Sequence, residues 1–216
     1  MRAAIELVEP GMRLGLGSGR AVFAVADALA TSRARPELVL CASPETARRA
    51  EAAGLRVVAA DEAPELDLAL DGADEVMRSL AVMKGGGGSL LREKIVIESA
   101  QRFVVVAETR KIVTYLGERW RLPVEVVRFG WNGTRDRLLA VLDDAVLRSS
   151  ASGTPFVTDE GHHILDCALP GGADLAFIAA AVKSMTGVVE HGLFLTHADT
   201  ALLGAPDGSL VRLVRP

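Results

Sequence analysis

Aromatic side chains are scarce in this sequence. Phe, Trp and Tyr make up 4% of the 216 residues while half of all residues are hydrophobic, so a core has to be assembled mainly from Val, Leu, Ile and Ala. Such runs suit parallel strands buried under helices on both faces. Cysteine is nearly absent. Cys41 and Cys167 stand in no metal-like or redox spacing and read as two buried free thiols in a reducing compartment. No apolar run reaches the ~18 residues a membrane helix needs. The N-terminus, MRAAIELVEPG, carries an acidic residue at position 6 and no long apolar stretch, which argues against a signal peptide. A cytoplasmic protein is expected. There is no Lys/Arg tract, no basic stripe interleaved with aromatics, and the formal charge is -4, so a nucleic-acid surface is not expected. A mildly acidic chain can still take a phosphate, because local donors decide that.

The length allows one domain or two small ones. Residues 2–9 read as a short helix, 12–16 as a strand, 20–31 as an Ala-rich helix and 37–42 as a strand. Ser43-Pro44 reads as an N-cap followed by Pro at the first helical position, opening a helix to about Ala53 that Gly54 closes. Strands at 55–60 and 66–70, a helix at 89–101 and a strand at 102–107 follow. Strands separated by ~10–15-residue helices indicate βαβ units and a parallel sheet, here a Rossmann-like doubly wound α/β arrangement. The pattern changes near Pro123. Residues 124–128 are strand-like, 132–148 helix-like, 154–158 and 163–167 strand-like, 173–185 helix-like and 188–195 strand-like. That order, β-α-β-β-α-β, is a ferredoxin-like split unit. Residues 199–214 return to the first unit. The expected organisation is a Rossmann-like domain over 1–122 and 198–216, with a smaller α+β ferredoxin-like domain over 123–197.

Three segments carry chemistry, and each follows an expected strand. In open α/β sheets ligands bind outside the carboxyl ends of strands, so all three can meet at one edge. Gly15-Leu16-Gly17-Ser18-Gly19-Arg20 is a glycine turn before a helix: a backbone that can approach an anion, or a plain strand-to-helix turn. It is not a dinucleotide fingerprint, because Arg20 stands where the third Gly belongs and no acidic residue ends the second strand. A cation at a helix N-terminus is unfavourable by up to ~1 kcal/mol, and a bound phosphate reverses that sign. Arg20 is therefore a candidate phosphate clamp, or else a solvated surface residue. Asp71-Gly72-Ala73-Asp74-Glu75 packs three acids into five residues, to bind a cation or hydroxyls, to move protons, or as a solvated turn. No His or Cys lies nearby to support a transition metal. The four glycines after Lys84 cost chain entropy, and close approach to a ligand is the usual reason for such a loop. It is not a Walker loop, in which the Lys follows the glycines. Glu93, about one turn into the next helix, can face back toward this loop.

The DGADE segment at 71–75 and the KGGGG…REK segment at 84–94, together and in this order, resemble type A ribose-5-phosphate isomerases. So do VVVAETRK with Lys111, PVEVV at 123–127, VTDEGHHILDC at 157–167, GVVEHGLF at 187–194 and APDGS at 205–209, so the resemblance covers nearly the whole chain. It implies an aldose–ketose isomerase of the non-oxidative pentose phosphate pathway. Such an enzyme interconverts ribose 5-phosphate and ribulose 5-phosphate through an enediolate, without cofactor or metal, as a homodimer. The resemblance makes Glu93 the general base between C2 and C1. Lys84 and the N–H groups of Gly85, Gly86 and Gly87 would stabilise the oxyanion. Asp71 and Asp74, flanking Gly72 and Ala73, would hold substrate hydroxyls and assist ring opening. Lys111 would be a further substrate contact, and Ser18, Gly19, Arg20 and Ala21 would surround the phosphate. Here the chain departs from the family, whose loop carries Thr-Gly-Ser-Thr: two hydroxyl donors are lost and a guanidinium is gained. The N-terminal helix also lacks the family's customary lysine. No histidine is assigned to catalysis. A non-catalytic sugar-phosphate sensor would bring a DNA-binding segment, and an amino-sugar-phosphate deaminase a catalytic His. An acyl-CoA transferase would bring a Glu nucleophile in another context. None of these features is seen.

Overall fold

Ser43 accepts a hydrogen bond from Thr46 N at 3.2 Å and so caps a helix that begins at Pro44. Gly54 follows its end at φ +72°, a conformation that glycine reaches without a Cβ penalty. Local rules of this kind set the elements of the computed structural model, which describes residues 2–63 and 65–215. Helix α1 (Arg2–Ile5) is followed by β1 (Arg13–Leu16), α2 (Arg20–Leu29), β2 (Leu38–Cys41), α3 (Pro44–Ala52) and β3 (Val57–Val58). Next come β4 (Leu68–Asp71), β5 (Glu75–Met77), β6 (Val82–Met83), α4 (Leu90–Glu98), β7 (Phe103–Glu108) and β8 (Ile112–Val113). The second half runs β9 (Leu122–Val126), α5 (Trp131–Leu138), β10 (Asp144–Leu147), β11 (His163–Ala168), α6 (Leu175–Lys183), β12 (Val188–His191) and β13 (Leu193–Phe194). Strands β14 (Thr200–Gly204) and β15 (Leu210–Val214) complete the chain's elements.

Seven strands form one sheet in the order β15-β14-β7-β4-β1-β2-β3, and only β15 runs antiparallel to its neighbour. Both faces are apolar, as a doubly wound sheet requires. Leu14, Leu16, Leu68, Leu70, Val104 and Val106 pack in one cluster with buried residues of α1, α2 and α3. Ala69, Phe103 and Val105 pack with Ile97 of α4 and with Phe194. Gly15 points the same way as these, and a Cβ there would lie 2.7 Å from Val96 Cγ1, so the glycine lets α4 close on the sheet. The chain leaves β1 toward β2 and leaves β4 toward β7, so strand order reverses between these two neighbours. The loops after them diverge and open a crevice.

The second half forms an antiparallel sheet in the order β10-β11-β9-β12, with Leu138 of α5 and Ile178 and Val182 of α6 in its core. Two expectations are corrected within it. Helix α5 stops at Leu138, and residues 144–147 of the expected helix 132–148 form a strand paired to Leu165–Ala168. The apolar spacing there fits either period, and the ladder with β11 decides it. Residues 154–158 do not form a strand: only a bridge links Pro155 to Ser149, and Thr158 N closes a turn on His162 O at 2.9 Å. The expected strand 188–195 is broken at Gly192, where a Cβ would lie 2.2 Å from Lys84 O.

A third sheet, β13-β6-β5-β8, was not foreseen, since strands of two or three residues show no period. It ties the two halves together by pairing Leu193 with Met83. Close by, the buried Lys94 of α4 donates to Glu190 Oε1 at 2.7 Å and to His191 O at 3.0 Å. Burial pushes Glu190 up, but hydrogen bonds from Lys183, Lys94 and His191 N outweigh it and hold the carboxyl down at about 2. Cys167 is buried and Cys41 half-buried, and burial pushes both thiols up to about 12.

Candidate active site

The turn after β1 has no room for a side chain at its first position: a Cβ on Gly17 would fall 1.7 Å from Asp71 Cγ. Gly17 therefore lets the end of β4 lie against the turn. Asp71 Oδ1 accepts from Ser18 N at 3.1 Å and from Gly72 N at 2.6 Å. Gly19 takes φ +88° and ψ 174° at the N-cap of α2, a backbone conformation open to glycine. No side chain caps this helix, so its first amides remain free to meet an anion. Arg20, the first helical residue, is exposed and forms no ion pair among the described residues.

Lys84 is buried, and its ammonium lies 2.7 Å from Asp71 Oδ2 and 3.2 Å from Glu93 Oε2. It donates to Gly72 O at 2.7 Å. Asp71 and Glu93 are buried as well, and Oδ2 and Oε2 accept no well-aligned hydrogen bond beyond this ion pairing. Ser18 Oγ donates to Glu93 Oε1 at 2.5 Å and fixes that carboxylate from the other side. Burial pushes the Asp71 carboxyl up, with Glu93 adding to it and Lys84 opposing, to about 7. Burial disfavours the Lys84 cation, but the charges of Asp71 and Glu93 outweigh that, and its pKa is raised.

The acid cluster does not act as a unit. Asp74 lies at the cleft and accepts from Gly86 N at 2.7 Å. Glu75 begins β5, and its buried carboxylate accepts from Gly117 N at 2.6 Å, Arg119 N at 2.6 Å and Trp120 N at 2.9 Å. Glu75 thereby shapes the loop that presents Trp120, whose ring centroid lies 5.1 Å from Lys111 Nζ.

These parts enclose a cleft of about 330 Å³. Ser18, Gly19, Arg20 and Ala21 line it from the first segment, Gly72, Ala73 and Asp74 from the second, and Lys84, Gly85, Gly86, Gly87 and Glu93 from the third, with Lys111 beside them. Asp71 lies beneath the lining, against Lys84. Two placements differ from the sequence reading. The Ser18 hydroxyl is engaged by Glu93, and the Gly86 N–H by Asp74. Glu108, Arg110 and Trp120 line the cleft and were missed. Glu108 and Arg110 stand at the carboxyl end of β7, where the rule for open sheets could have found them. Trp120 arrives through Glu75, a link no local pattern reveals. Among the described residues no group of three or more His, Cys, Asp or Glu is placed to hold a metal ion.

The ribose 5-phosphate isomerase A (phosphoriboisomerase A) family model matches residues 38–208. The chain belongs to this family. Ribose-5-phosphate isomerase A of Roseiflexus castenholzii (strain DSM 13941 / HLO8) is 47% identical over 209 residues, which cover 95% of this chain and 89% of that one. The enzyme of that name from Synechococcus sp. (strain JA-3-3Ab) is 44% identical over 211 residues, covering 96% and 92%. Among solved structures, ribose 5-phosphate isomerase from Plasmodium falciparum superposes with a TM-score of 0.91 at 30% identity, over 99% of this chain and 94% of that one. Nearly the whole isomerase fold is therefore present, the β9–β12 sheet included.

Proposed function

We propose that the cleft beside Lys84 and Glu93 is where this chain, an aldose–ketose isomerase of the pentose phosphate pathway, interconverts ribose 5-phosphate and ribulose 5-phosphate. The observation that carries the reading is Lys84, a buried cation held between the carboxylates of Asp71 and Glu93 at a cleft that also exposes a helix N-terminus.

In the open-chain aldose one proton must leave C2 and one must arrive at C1, while the O2 hydroxyl proton passes to O1. Glu93, fixed by Ser18, takes the C2 proton and returns it to C1. The negative charge that develops on the oxygens meets the Lys84 ammonium, which its carboxylate partners keep protonated. Asp74 manages hydroxyl protons from the cleft, and Asp71 sets the charge on Lys84 from beneath. The α2 amides and Arg20 hold the phosphate, and Lys111, braced on Trp120, contacts the substrate. The β1–α2 loop supplies backbone donors and one guanidinium in place of the two hydroxyls that the family carries at positions 20 and 21.

Lys84→Met tests this assignment. Folded variant should lose turnover by roughly 10²–10³-fold, the scale of removing one oxyanion donor. Near-normal turnover removes the cleft from catalysis. A division into residues 1–122 with 198–216 and residues 123–197 is supported by the two large sheets, β15-β14-β7-β4-β1-β2-β3 and β10-β11-β9-β12, while Met83, Val113 and Leu116 pack into the apolar cluster of the second sheet and join the units. The family resemblance and the prevalence of symmetric dimers support a homodimer, and the two free thiols fit a reducing compartment such as the cytoplasm. No described helix is long and apolar enough to cross a membrane.

A further inference from the structure

A loop of four glycines carries no side chain by which the fold can grip it, and each glycine has wide backbone freedom. Gly85 and Gly88 stand at φ +101° and +91°, and Gly88 N closes the turn on Gly85 O at 3.0 Å. Asp74 holds the Gly86 N–H from the first half, and the carbonyl side of the loop is gripped from the second half of the chain. Arg148 follows β10, and its backbone is seated on the neighbouring segments by Arg148 N to Ile164 O at 2.9 Å and Phe156 N to Arg148 O at 2.8 Å. Its guanidinium pairs with Asp166 on β11, the Nε bond being 2.9 Å. The remaining NH1 donates to Gly85 O at 2.9 Å and to Gly86 O at 3.2 Å.

These two carbonyls belong to two successive peptide groups, and no peptide in the described chain is cis. In a trans peptide the C=O and N–H point in opposite directions. Fixing Gly85 O on one side therefore aims Gly86 N–H to the other, where Asp74 Oδ2 accepts it at 2.7 Å. Fixing Gly86 O aims Gly87 N–H the same way. Gly87 lines the cleft, and among the described residues its N–H has no protein acceptor. A cation on the carbonyl side also polarises both peptides and strengthens their N–H groups as donors.

We propose that Arg148, anchored by Asp166, is a positioning residue for the isomerisation: it presents the Gly87 N–H to the charge that develops on the substrate oxygen and holds Asp74 through Gly86. The second half of the chain thus completes the site on the first. This rests on the assignment of the cleft to catalysis.

The test compares Arg148→Met, Asp166→Asn and Glu93→Gln for kcat, KM, thermal midpoint and rescue by added guanidinium, all on folded protein. Arg148→Met should lower kcat by on the order of 10–100-fold, as small misplacements of catalytic groups do, with KM for ribose 5-phosphate within about threefold. Millimolar guanidinium should restore part of that kcat and have no effect on Glu93→Gln. Asp166→Asn should give a smaller fall in kcat in the same direction, and it decides the matter if the Met variant does not fold. A kcat within twofold of the parent in both variants, with Glu93→Gln inactive, overturns the role of Arg148 alone. A fall in thermal midpoint with kcat per folded molecule unchanged does the same. If Glu93→Gln is active, the underlying site assignment fails instead.

Discussion

Gly17 and Asp71 compete for one volume: a Cβ on Gly17 would lie 1.7 Å from Asp71 Cγ and about as close to both carboxylate oxygens, at 2.0 and 2.1 Å. The turn and the acid can coexist only while position 17 is glycine. Gly17→Ala should displace Asp71 from Lys84, costing ~1–3 kcal/mol of stability from overpacking and a larger relative loss in kcat. Chemical denaturation alongside turnover measures both. Wild-type kcat in this variant would show that the Asp71–Lys84 contact is dispensable.

Glu93 is the carboxylate that Ser18 and Lys84 hold at the cleft. Glu93→Gln keeps the shape and removes the base, so kcat should fall roughly 10²–10⁴-fold while KM changes only a few-fold. Steady-state kinetics on the purified variant checks this, and retained turnover would move the base role elsewhere.

The pH profile follows from Asp71. Burial raises its carboxyl to about 7, so the Asp71–Lys84–Glu93 cluster holds an extra proton below that pH and sheds it above. The reaction needs carboxylates that can accept protons, so kcat/KM should rise with pH through about 7. Because the groups are coupled, the limb belongs to the cluster rather than to one residue. Asp71→Asn should shift it, and a profile unmoved by that change would separate Asp71 from the titration.

Arg20 sits at a helix N-terminus, where a cation without an anion is unfavourable. Arg20→Ala should raise KM for ribose 5-phosphate roughly tenfold through loss of a charge-assisted contact, with a smaller change in kcat. It should not lower the thermal midpoint of the unliganded protein, and inorganic phosphate should stabilise it less than the parent. An unchanged KM would leave the phosphate to the backbone amides.

Glu190 joins Lys94 and Lys183 between the two halves. Its carboxyl is held down at about 2, below the usual glutamate value, so its stabilisation is complete above about pH 4.5 and drains away as pH falls toward 2. The gap in thermal midpoint between the parent and Glu190→Gln should therefore narrow steadily on acidification over that window. A gap independent of pH would mean the charge contributes nothing.

Much of the fold was legible because its signals are local. The Ser43-Pro44 cap, Gly54 and the strand-to-helix spacing of the first half depend on neighbouring residues, and the alternation of strands and helices dictates a doubly wound sheet. Where two periods fit the same residues, as over 139–148, the partner strand decides, and that partner is distant in sequence. Glu75 reads as one of three clustered acids, yet its place at the start of β5 turns it toward the 117–120 loop. Ser18 reads as a phosphate ligand, but its hydroxyl finds Glu93, 75 residues away. Arg148 has no motif at all: its meaning lies in two carbonyls more than 60 residues upstream.

The most direct test of the central claim is a turnover assay on purified, EDTA-treated protein with ribose 5-phosphate, run beside unphosphorylated ribose. Robust formation of ribulose 5-phosphate and little reaction of ribose are expected. Folded protein that isomerises neither sugar would contradict that claim.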